Sequence, residues 1–196
     1  MTTRYTQVPR ATLWLVQGGE LLISGSIIEV GSFYIGKSVI TNEQYEAYLR
    51  ACGAPRVHSR SPLSPGDDHP AVGVTWQDAV GYCDWYAHLA KKPFRLPTEA
   101  EWQLACGGFG DAPSLTDPQV WHRDNSDGHC HPVESSRVNS QGLHDMLGNV
   151  WEWTAERVLR GGSFRTAMSE MGSAKRRLEQ PGVDLDDVGF RIVRSL

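Results

Sequence analysis

Residues 142–153 run Gly142-Leu143-His144-Asp145-Met146-Leu147-Gly148-Asn149-Val150-Trp151-Glu152-Trp153. From Asp145 to Glu152, eight residues carry two carboxylates, a side-chain amide and main-chain carbonyls beside a glycine. This is hard oxygen chemistry suited to calcium. An Asx-turn with a solvated carboxylate uses the same residue types, so the motif alone leaves both readings open. Upstream, residues 107–150 are dominated by Gly, Pro, Asp, Asn, Ser and His with almost no periodicity, and ordered loops of that length are usually functional. His122, His129, Cys130 and His131 share this loop. They lack CxxC or HxxxH spacing, and a surface loop is the expectation over a zinc or redox-metal site.

Outward from this centre the pattern becomes regular. Downstream, Glu152–Arg160 and Gly189–Val193 read as strands. Upstream, the apolar stretches Leu13–Val16, Leu21–Ile23, Ile27–Val30 and Phe33–Ile35 are separated by glycines and read as strands joined by tight turns. Three caps open three helices: Thr41 with Gln44, Thr75 with Asp78, and Thr98 with Glu101. Tyr45, Tyr48, Leu49 and Cys52 give the first an apolar face that Gly53 ends. Ala79, Tyr82, Cys83, Tyr86, Leu89 and Ala90 do so for the second, before Pro93. Trp102, Leu104 and Ala105 follow the third cap. Residues 54–70 hold Pro55, Pro62, Pro65 and Pro70 and are expected to form an exposed loop. The fold class is α+β, loop-rich, with short strands and about three capped helices.

An apolar fraction of 40% with seven tryptophans indicates one packed domain, residues 1–196. Trp76, Trp102, Trp151 and Trp153 are expected in the core, and Arg95 and Glu101 to pair or cap. A net charge of -4 offers no long-range attraction for phosphate backbones, which argues against nucleic-acid binding. No run of residues approaches a membrane span or a signal-peptide core, so no membrane partner is expected and the cytoplasm is the default. Cys52, Cys83, Cys106 and Cys130 are widely spaced; buried reduced thiols are expected, with disulfides ranked second.

Several stretches together resemble one family. They are Phe33-Tyr34-Ile35-Gly36-Lys37, Thr41–Tyr45, His69–Trp76 with Asp78-Ala79, Arg95–Trp102, Gly142–Trp153, Leu159–Phe164 and Gly189-Phe190-Arg191. In this order they resemble the sulfatase-modifying-factor, or formylglycine-generating-enzyme, family over residues 13–194. The resemblance implies that family's variant of the C-type lectin fold. It also implies a structural Ca2+ ion held by the side chains of Asp145 and Glu152 and the main-chain oxygens of Gly148 and Val150. A second family calcium site would fall at Asp124, Asn125, Asp127 and Gly128, where the spacing is shorter than the family's. Copper-dependent members place two cysteines shortly after the Gly-Gly-Ser turn. Here Gly161-Gly162-Ser163-Phe164 is followed by Arg165-Thr166-Ala167-Met168-Ser169-Glu170-Met171-Gly172, and the last cysteine is Cys130. Copper is therefore not expected, because Thr cannot replace a thiolate and the thioethers of Met168 and Met171 alone make an incomplete Cu(I) site.

The interval from Trp153 to Arg160 is shorter than in the family, which implies a reduced groove. Around it stand Arg160, Arg165, Lys175, Arg176 and Arg177 beside Glu170, Glu179, Asp184, Asp186 and Asp187. This mixed field suits an anionic group or a solvated surface network. The ligand-binding candidates are Ser163, Arg165, Glu170 and Arg176. The first functional expectation is a domain without formylglycine-generating activity that binds a peptide, protein or small-molecule ligand through its C-terminal loops. The second is an oxidoreductase of the pyoverdine-maturation type, for which Glu170, His144 and Ser163 are the nearest titratable or hydroxyl groups. The third is an accessory subunit of a biosynthetic complex. Retroelement-diversified variable proteins also resemble this fold, but residues 161–191 contain no Asn, which argues against that branch.

Overall fold

The computed structural model describes residues 10–23, 25–53, 60–107, 120–180, 182 and 185–196. Strands β1 (Leu13–Val16), β2 (Gly19–Ile23), β3 (Ser26–Val30) and β4 (Phe33–Gly36) come first. Helices α1 (Asn42–Ala51), α2 (Trp76–Ala90) and α3 (Glu99–Ala105) follow, then short strands β5 (Trp151–Trp153), β6 (Val158–Arg160), β7 (Arg176–Leu178), β8 (Val188–Gly189) and β9 (Val193–Ser195). They form three sheets: β1-β4-β9, the β2-β3 hairpin, and β7-β6-β5-β8, in which β8 runs parallel to β5. The α+β class and the three helices are as expected, and no helix among the described residues is long and apolar enough to cross a membrane.

All three capping boxes form, so each helix starts where its sequence says. Gly53 takes a left-handed φ of 62° just past α1. Two expected strands divide. Between β5 and β6 the Thr154 hydroxyl donates to the Val158 carbonyl (2.9 Å) and Arg157 adopts φ 65°, turning one stretch into an antiparallel hairpin. Gly189–Val193 splits because Phe190, Arg191 and Ile192 cross from one sheet to another with their side chains fully buried. The Gly36 amide donates to Ile192 and the Ile40 amide to Phe190 along that crossing.

Loop 54–70 also differs from expectation. Residues 54–59 lie outside the described residues. Beyond them Ser64 is fully buried and donates to the Pro70 carbonyl, while the Asn42 side-chain amide donates to the carbonyls of Ser64 and Gly66. The proline-rich loop is thus tied to the start of α1. None of the four cysteines is in a disulfide; Cys83, Cys106 and Cys130 are buried, but Cys52 is exposed because it caps the C-terminus of α1. Trp102 and Trp153 are buried completely and Trp151 nearly so, whereas Trp76 is half-buried and donates to the Thr154 carbonyl.

Candidate functional site

Residues 142–153 bind the long loop and the C-terminal segments together through three left-handed residues, Asp145 (φ 54°), Gly148 (φ 76°) and Asn149 (φ 58°). Aspartate and asparagine tolerate that region better than other side chains. Gly148 has a second constraint: a Cβ there would stand 2.3 Å from the Trp121 carbonyl oxygen. Asn149 holds three segments. Its side chain accepts from the His131 amide and donates to the His131 carbonyl, its amide donates to Trp121, and its carbonyl accepts from Phe164.

Glu152 is fully buried, and both its oxygens are engaged. Arg191 donates to them at 2.7 and 2.6 Å, and the Trp102 indole adds a third bond at 2.9 Å. Arg191 also donates to the carbonyls of Gly36 and His144. The Glu152 carboxylate is therefore a hub of core connectivity, a role the sequence did not reveal. Asp145 differs. One oxygen accepts from the Glu134 amide (3.0 Å), but Oδ1 is buried with no partner among the described residues. Burial raises the proton affinity of both carboxyls; for Glu152 the Arg191 guanidinium opposes this, and nearby Asp145 adds to it.

The expected calcium ligands fit a hard cation at one point, the orphaned and buried Asp145 Oδ1. Glu152 has little left to offer, with three donors already on it. Among the described residues no group of three or more His, Cys, Asp or Glu could hold a metal by side chains alone. Main-chain oxygens such as those of Gly148 and Val150 would have to complete any shell. At the second expected site, Asn125 accepts from the His122 amide and donates to the Val120 carbonyl, closing a turn, while Asp124 and Asp127 are exposed. The histidine loop packs: His131 stacks on Trp121 with centroids 3.6 Å apart, and burial pushes the Cys130 thiol up to about 12.

The four expected ligand residues do not converge. Ser163 is fully buried, donating to Asp187 (2.8 Å), because the Gly161-Gly162 turn drives it inward. Arg165 forms an exposed two-pronged pair with Asp186. Glu170 is exposed on a 3-10 turn, Met168–Glu170. Arg176 lies elsewhere, paired to Glu99 through two bonds of 2.6 and 2.7 Å. That Arg176 pair opens onto a cavity of about 410 Å³ between the β2-β3 hairpin, α3 and β7. Glu99 and Gln103 of this cavity went unrecognised because nothing local links them to Arg160 and Arg176, 57 to 77 residues away. At the Gly-Gly turn itself, Thr166 accepts from the Ser163 amide and Met171 packs against Gly162.

This fold, with its buried Gly161–Phe164 turn and its Gly142–Trp153 centre, defines a class. A model of the sulfatase-modifying factor enzyme 1-like domain matches residues 4–196, and the chain belongs to that family. It is 29% identical to the serine/threonine-protein kinase pkn1 of Chlamydia pneumoniae over 93% of this chain and 38% of the kinase. It is 31% identical to the inactive C-alpha-formylglycine-generating enzyme 2 of Mus musculus over 72% of this chain and 56% of that protein. The chain thus spans only part of the length of these curated relatives. Among solved structures, PvdO from Pseudomonas aeruginosa superimposes with a TM-score of 0.79 at 22% identity, covering 94% of each chain.

Proposed function

We propose that this chain is a non-oxidising, ligand-binding member of the family, holding a peptide, protein or small molecule through its C-terminal loops. One observation carries this: the Gly161–Gly172 turn contains no thiol. Thr166 and Met171 pack there against Gly162, and the last cysteine, Cys130, is buried with its thiol held protonated. The mouse relative named as inactive is consistent with such a loss. The likeness to PvdO, at 22% identity, is one of fold and gives the oxidoreductase alternative no residue of its own. The purified chain, incubated with copper, oxygen and a cysteine-containing peptide, is expected to leave the peptide mass unchanged. Appearance of the aldehyde product would overturn the assignment.

The same proposal includes a structural calcium ion held by Asp145 with main-chain oxygens of Gly148 and Val150, Glu152 remaining paired to Arg191. The ion would compensate the buried Asp145 charge and fix the surrounding loops. Calcium is expected to raise the melting temperature over chelator-treated protein. A ligand at one hundred times its dissociation constant adds about 2.7 kcal/mol. Asp145→Asn keeps the left-handed backbone and is expected to shrink that shift. An equal shift in both proteins would place the ion elsewhere.

A further inference from the structure

We infer that the cavity between the β2-β3 hairpin, α3 and β7 is a binding site for a carboxylate carried on a short apolar chain. This rests on the ligand-binding assignment above and names a chemistry for it. Two guanidiniums, Arg160 and Arg176, line the cavity and share one carboxylate, Glu99, which takes one bond from Arg160 (3.0 Å) and two from Arg176. Arg160 is 4% exposed; its remaining terminal nitrogen reaches the Gln103 side chain and the Ser173 carbonyl, and its Nε has no partner among the described residues. Each guanidinium has five N–H donors in a rigid fork, so donors here outnumber acceptors. Arg176 Nη1 has no bond to any described residue.

Glu156 also lines the cavity and attracts Arg176 through space, so the formal charges balance, but it leaves the N–H groups unpaired. Its carboxylate accepts from the Glu99 amide (2.9 Å) and bonds to neither guanidinium. The opposite wall is apolar. In the hairpin register Leu21 faces Ile28 and Ile23 faces Ser26, which puts Ile23 and Ile28 on the face turned to the cavity, with Ala100 and Ala174 beside them. Guanidinium donors on one side and isoleucines on the other complement an amphiphilic acid. Both Glu99 oxygens already accept from arginine, so an amine could turn only to Glu156 and would meet two guanidiniums beside it. Burial also weakens the hold of Arg160 on its proton and neighbouring Arg176 adds to this, while Glu99 opposes it.

The test is calorimetric titration of the full chain with octanoate, octanamide and octylamine. Octanoate is expected to bind saturably and the two neutral or cationic analogues not to bind. Arg176→Ala, at an exposed edge-strand position where folding should persist, is expected to weaken octanoate by about tenfold or more, and Arg176→Lys by less, since the point charge survives without the fork. A tetrapeptide with a free Val-Leu C-terminus, compared with its amide, separates the two sources of such a carboxylate. Binding of the peptide acid but not octanoate would assign the site to chain ends. The inference falls if neither acid binds saturably at millimolar concentration, if the amides bind as well as the acids, or if Arg176→Ala binds like the wild type. Those failures leave the non-oxidising assignment standing, since it rests on the thiol-free turn; aldehyde formation would remove that assignment alone.

Discussion

Tyr82 shows how a single side chain departs from what its pattern implies. Its place on the apolar face of α2 is legible from spacing, and its ring packs against Phe190 (5.3 Å), Trp85 (5.5 Å) and Tyr86 (5.9 Å). Its hydroxyl, however, is buried with no hydrogen-bond partner among the described residues, and burial holds it protonated far above the usual phenol range. An unsatisfied buried hydroxyl costs about 1–3 kcal/mol. Tyr82→Phe is therefore expected to leave stability unchanged or raise it, measured by urea unfolding. A loss beyond about 1 kcal/mol would show that the hydroxyl contributes a bond after all. The contrast with Ser163 is instructive. A hydroxyl after two glycines reads as an accessible ligand contact, yet left-handed Gly161 and Gly162 turn it onto Asp187.

At the scale of elements, local chemistry was readable because its partners lie three residues apart. In α3, Thr98 accepts from the Glu101 amide (3.1 Å) and Glu101 accepts from the Thr98 amide (2.8 Å). Thr98→Ala is expected to cost about 1 kcal/mol. Glu101→Ala should cost more in the same thermal unfolding assay, because Arg95 then loses both its bonds to that carboxylate, at 2.6 and 2.7 Å. Equal losses would mean the Arg95 pair adds nothing. Short strands were less legible. Alternation over Glu152–Arg160 could not reveal a hairpin, because its turn is closed by the side chain of Thr154, only a weak turn former, and by a left-handed Arg157.

Over the whole molecule, the Glu152–Arg191 pair ties distant segments together. It joins residues 39 apart in sequence and reaches Gly36 through a further bond. Both side chains are 0% exposed, so Arg191→Met would strand a buried carboxylate at a cost of about 3–5 kcal/mol. Glu152→Leu combined with Arg191→Met is expected to recover much of that loss in denaturant unfolding, since a buried pair replaced by apolar groups leaves no uncompensated charge. If the double variant is as unstable as the single, the pair itself and not desolvation carries the energy.

What the amino-acid order determined alone is the set of elements with local codes: three capped helices, the glycine-separated strands of residues 13–36, a left-handed glycine after α1, and the absence of any thiol beyond Cys130. Each depends on residues within a few positions of one another. Tertiary structure decided which carboxylates are free. Glu152 and Asp145 look equivalent as calcium ligands in sequence, yet Arg191 and Trp102 engage one and leave the other with an orphaned oxygen. It also decided that Ser163, Arg165, Glu170 and Arg176 separate, and that Arg176 instead joins Arg160 and Glu99 around a cavity. The physical reason is reach. A buried charge such as Glu152 or Arg160 is met by a specific partner, and here that partner comes from another part of the chain.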